Sequence, residues 1–86
     1  MLAYGNLLRL VENHTNAQIM ELSNAGRPGQ LVFKNRQALE RRMEAAYKWA
    51  VEQVFELEGR SVDVKWVKVE VRRRRVENGV VGFEGA

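Results

Sequence analysis

The residues best equipped for chemistry in this chain are its arginines. Four stand in a row, Arg72-Arg73-Arg74-Arg75, and four further basic groups, Lys34, Arg36, Arg41 and Arg42, open the longest amphipathic segment. A guanidinium presents a planar fork of donors that matches phosphate and carboxylate, and Arg outnumbers Lys in this chain. These eight residues suit an anion-binding surface, most naturally for the backbone phosphates of DNA or RNA. Asn35 and Gln37 lie beside the first of them, and their amides have the donor–acceptor pattern that reads base edges in a major groove. A small adaptor or inhibitor docking on an acidic protein partner would use the same arginines. Without any ligand, the run would be a solvated strand edge whose charge discourages aggregation.

Other chemistries find few residues. The chain has no Cys and one His, which excludes disulfides, Cys-ligated zinc, iron–sulfur clusters and a Cys nucleophile. His14 has only Glu12 as a nearby carboxylate and reads as a loop or cap residue. Ser23 and Ser61 lack a neighbouring base that would suggest a triad. Gly26-Arg27-Pro28-Gly29 lacks the spacing and the Lys-Ser/Thr ending of a phosphate-binding Walker loop, and reads as a turn. A binding module, neither an enzyme nor a metal or cofactor protein, is the expectation.

Charge and length set the frame. The chain has 86 residues and a formal net charge of +3, with 45% hydrophobic and 29% charged residues, as in one small globular domain spanning 1–86. Residues 1–33 and 34–59 each sum to zero, so the net charge lies in residues 60–86. The longest apolar runs fall far short of the ~20 residues that span a bilayer. The first residues lack a basic region followed by a long apolar one, so the expected location is cytoplasmic, with no membrane partner.

Secondary structure must position the basic groups. Leu7, Leu8 and Val11 share a helical face within residues 2–12. Thr15 and Gln18 have capping-box spacing and predict a short helix over 16–24, with Ile19, Met20 and Leu22 inward and a strand over 18–22 as the competing reading. Residues 24–29 form a loop, and 30–33 a short strand. Residues 35–58 predict a long helix, with Leu39, Met43, Ala46, Tyr47, Ala50, Val51, Val54 and Leu57 on one stripe and Gly59 ending it. Trp49 lies beside that stripe, at a core or dimer contact. Glu44–Lys48 and Lys48–Glu52 have ion-pair spacing along this helix.

Residues 61–75 alternate as a strand does, with a phase change at Trp66-Val67 that predicts a bulge. Asn78-Gly79 is a hairpin-turn signal that would pair Val76 with Val81, Arg74 with Phe83 and Arg73 with Glu84. The expected fold is therefore α+β: a long amphipathic helix packed on a small antiparallel sheet with a C-terminal β-hairpin, preceded by one or two short helices.

Two features of charge placement support a shared basic end. The long helix begins with cations and ends with Glu52, Glu56 and Glu58, against its own dipole. A strand from Ser61 to Val71, at about 3.3 Å per residue, would run back the length of the helix and bring Arg72 to Arg75 beside Lys34, Arg36, Arg41 and Arg42. Homodimerisation is a further possibility for so small a core.

Overall fold

The computed structural model describes residues 3–25 and 33–80. The regular elements among them are all helices: α1 (Tyr4–Asn13), α2 (Asn16–Asn24), α3 (Arg36–Glu58) and α4 (Val64–Glu77). The expected α+β fold is thus corrected to an α-helical one. The antiparallel sheet is absent among the described residues, and the segment read as its main strand is α4. Gly26 to Gly29, Gln30 to Val32, and the predicted hairpin partners Val81, Phe83 and Glu84 lie outside the described residues.

Helices α2 and α3 follow local signals. Thr15 Oγ1 accepts from the Gln18 amide at 3.0 Å and Gln18 Oε1 accepts from the Thr15 amide at 2.9 Å, completing the predicted capping box. Asn35 caps α3 by accepting from the Ala38 amide at 2.9 Å. Gly59 ends α3 with φ 68°, the left-handed conformation that a Cβ disfavours.

The reason α4 is a helix lies in the same valines that suggested a strand. Val64, Val67 and Val71 recur at i, i+3 and i+7, so they share one helical face. Val67 and Val71 are buried, whereas Val69, which a strand would place with them, is exposed. The phase change at Trp66-Val67 is therefore helical periodicity and no bulge. Asp63 caps the helix by accepting from the Trp66 amide at 2.8 Å. At the other end the Gly79 amide donates to the Val76 carbonyl and the Val80 amide to the Arg75 carbonyl. With Gly79 at φ 73°, that pair of bonds is a Schellman ending, so Asn78-Gly79 closes a helix where a hairpin turn was expected.

Helix α1 is the centre of the packing. It touches α2, α3 and α4, while α3 and α4 touch each other. The core comprises Leu7, Val11, Ile19, Leu39, Met43, Ala46, Tyr47, Val67 and Val71. Gly5 of α1 faces Trp49 of α3, and a Cβ there would lie 3.4 Å from the indole ring, at ordinary van der Waals contact. Trp49 is thereby placed against α1, with its ring centroid 6.2 Å from that of Tyr4.

The apolar stripe of α3 outruns its partners. At about 1.5 Å per residue α3 is about 34 Å long and α4 about 21 Å. Leu57, predicted to be inward, is 79% exposed, and Phe55 is 57% exposed.

Between α2 and α3 the described chain is tied by one buried serine. Ser23 Oγ accepts from the Phe33 amide at 2.7 Å and lies 3.3 Å from the Phe33 carbonyl, to which it donates. Ser23→Ala would leave both backbone groups without that partner. Urea unfolding should show a loss of about 1–3 kcal/mol.

Candidate nucleic-acid interface

The structure separates the eight predicted anion contacts into two groups. A strand would have placed two of the four consecutive arginines on each face. On α4, at about 100° per residue, they point in four different directions.

Arg75 turns into the fold. Its Nε donates to the Val11 carbonyl at 2.7 Å and its Nη2 to Asn16 Oδ1 at 2.9 Å. Arg74 reaches Glu12 of α1 at 3.5 Å. Arg73 donates from Nε to Glu70 at 3.0 Å and from Nη1 to Glu77 at 3.2 Å. Those carboxylates hold its guanidinium pKa above the ordinary arginine value, with the Glu70 hydrogen bond the leading cause. Arg72 is exposed and makes no ion pair among the described residues.

The α3 group divides likewise. Arg42 lies over the Tyr4 ring, its guanidinium carbon 4.5 Å from the ring centroid, where cation–π attraction holds it. Lys34 and Arg41 are exposed. Arg36 is exposed too, and its Nε is 3.6 Å from Glu40. Such an exposed pair contributes at most about 1 kcal/mol, so phosphate can replace it at little cost. Asn35 is committed to capping α3, which removes it as a base reader, while Gln37 is exposed.

The inward arginine answers a need of α1. That helix ends without a glycine or a basic residue in its last turn, and its cap residue His14 is extended. Its final carbonyls would otherwise be orphaned. The His14 ring Nδ1–H donates to the Leu10 carbonyl at 3.0 Å, Arg75 serves Val11, and Asn78 Nδ2 donates to the Glu12 carbonyl at 3.1 Å. The end of α4 therefore caps the end of α1. The location of Arg74 and Arg75 in the last turn of α4 also suits that helix's own dipole.

How the two basic segments meet is set by Lys68. Its Nζ is 3.2 Å from Glu44 and 5.8 Å from the Tyr47 ring centroid. Glu44 is thus paired across helices, where sequence spacing had suggested Lys48. Arg72 lies one turn beyond Lys68 on α4, and Arg41 one turn before Glu44 on α3. A short link favours antiparallel neighbours, which places the two exposed arginines on the same side of this bridge. Burial pushes the Tyr47 phenol pKa up; Arg75 opposes this and Glu44 adds to it.

What remains for a ligand is Lys34, Arg36, Arg41 and Arg72, half of the predicted set. Lys65, exposed on α4, belongs beside Arg72 and was not among the predicted contacts. Its signal is the i, i+7 spacing, which is meaningful only once the segment is read as a helix.

No cluster of His, Asp and Glu able to hold a metal ion occurs among the described residues. Among them, too, no helix is long and apolar enough to cross a membrane. Comparison with protein-family models, curated proteins and solved structures yields no match.

Proposed function

We propose that this chain is a small intracellular nucleic-acid-binding module that holds backbone phosphates through Lys34, Arg36, Arg41 and Arg72. The observation that carries the reading is the division of labour just described. Arg42 and Arg75 serve the fold and Arg73 and Arg74 meet carboxylates, while Lys34, Arg41 and Arg72 remain exposed without an ion pair among the described residues. Sequence-independent contacts of this kind give affinities of about 10⁻⁴–10⁻⁶ M at physiological salt.

Salt titration counts the contacts. Four neutralised phosphates on duplex DNA predict a slope of about −3.6 in log K against log salt, or a loss of about two orders of magnitude between 50 and 200 mM. Eight contacts would give a slope near about −7. Fluorescence anisotropy with labelled duplex DNA, single-stranded DNA and RNA measures this directly and ranks the three ligands. Arg72→Gln should reduce the duplex slope by about 0.9, whereas Arg73→Gln should change it little. Absence of binding at 50 mM salt, or an unchanged slope in Arg72→Gln, would overturn the proposal.

Exposed Phe55 and Leu57 favour a second reading, a protein-docking adaptor. That reading predicts partner binding that survives Arg72→Gln and is lost on truncating Phe55.

A further inference from the structure

We infer that the chain associates with a second copy of itself head to tail, the outer face of α4 on one copy seating in a cleft beside the end of α3 on the other. The inference is independent of the nucleic-acid reading, although both use Arg72.

The cleft is an open concavity of about 490 Å³ lined by Val51, Glu52, Phe55, Glu56, Ser61 and Val62. Val51, Glu52, Phe55 and Glu56 share one face of α3, since they stand at i, i+1, i+4 and i+5. The link between α3 and α4 supplies Ser61 and Val62 as the opposite wall. The floor is thus apolar, through Val51, Phe55 and Val62, and two carboxylates edge it. Neither Glu52 nor Glu56 has an ion-pair partner among the described residues, while neighbouring Glu58 is engaged by Arg60 at 3.4 Å.

The complementary surface is on α4. Lys65, Val69, Arg72 and Val76 stand at i, i+4, i+7 and i+11 and form one narrow stripe. All four are exposed; Val69 is 56% and Val76 71% accessible. The stripe lies opposite buried Val67 and Val71. Two cations thus flank an exposed valine, as two carboxylates flank Phe55 in the cleft. The signs are opposite, and apolar centre meets apolar centre.

A helix anchored by Val67 and Val71 cannot turn its outer face into its own cleft, so the occupant is another copy. The two surfaces differ, so the contact is heterologous and each copy keeps one surface free for a further copy. Three turns of helix cover less than the roughly 800 Å² per partner of a standard interface, so the association is weak.

Sedimentation equilibrium on the full chain tests this. From about 5 µM to about 1 mM at low salt, the weight-average mass should climb above the 9.9 kDa of one chain without levelling at a pair, and should fall back as salt screens the charges. A cleft variant, Glu52→Gln/Phe55→Gln, and a stripe variant, Val69→Gln/Arg72→Gln, change exposed side chains and should keep the parent's far-UV circular dichroism. Each alone should associate at least about tenfold more weakly. Mixed in equal amounts they should form pairs and stop there, because only one intact cleft and one intact stripe can meet. The cleft variant should bind nucleic acid like the parent, which separates failure of this inference from failure of the nucleic-acid reading. A chain that stays monomeric up to about 1 mM, or a mixture with no pairs, would overturn the inference. Levelling at a dimer would do so too, since it signals a symmetric contact.

Discussion

Arg75→Met should destabilise the chain by about 2–3 kcal/mol in urea unfolding, while Arg72→Met, three residues away on the same helix, should stay within about 0.5 kcal/mol. Both substitutions remove one charge and keep a long apolar stem. They differ in what the guanidinium does. Arg75 donates to the Val11 carbonyl and to Asn16, part-buried bonds that join the end of α4 to the end of α1 and the start of α2. Without it the Val11 carbonyl loses that donor at a helix end, and the cost is that of an under-satisfied polar group. Solvent reaches this half-buried site, so the loss is smaller than for a fully buried charge. For a domain of this size, thermal midpoints should fall by about 10–20 °C. A double-mutant cycle of Arg75→Met with Asn16→Ala should show coupling of about 0.5–2 kcal/mol. Equal losses in the two single Met variants would show that Arg75 does not clamp the helices.

That clamp was illegible in the sequence, because Arg75 and Val11 are 64 residues apart. Four identical residues in a row also carry no hint of which one turns inward. Local signals read better. The Thr15–Gln18 capping box specified α2 because both of its hydrogen bonds lie within one turn. The stripe on α3 was legible because eight apolar positions keep one phase. Its weakness was the far end, where Val54 and Leu57 continue the pattern past the helices that could cover them.

The misreading of residues 61–80 came from signals that two structures share. Val62, Val64 and Trp66, then Val67, Val69 and Val71, satisfy a period of two in separate phases. Val64, Val67 and Val71 satisfy the helical period in one phase. β-branched residues favour strands only weakly, and tertiary contacts override that preference. Asn-Gly likewise supplies a positive φ to a hairpin turn or to a Schellman ending alike. The cap at Asp63 and the cations at the far end both suit a helix dipole, and together they were the better guide.

Val69 converts that contrast into a difference of sign. In a strand it would share the inward face with Val67 and Val71, and Val69→Ala would cost stability through lost packing. On α4 it is 56% exposed, and replacing a β-branched residue by Ala on an open helical face should stabilise by about 0.5 kcal/mol. Val69→Pro should instead cost about 3 kcal/mol or more, since the ring removes an amide donor and clashes with the carbonyl four residues earlier. Almost all of that loss is backbone, because little side-chain packing is surrendered. The break would also disturb the geometry of everything beyond it, including the Arg75 and Asn78 bonds that cap α1. Far-UV circular dichroism of Val69→Pro should therefore lose more helix than α4 alone contains, as α1 frays with it. A stability gain in Val69→Ala together with that excess loss in Val69→Pro is the joint signature of a helical α4 whose end holds α1. Destabilisation in both would return the segment to a buried strand, and with it the arginines to a common edge.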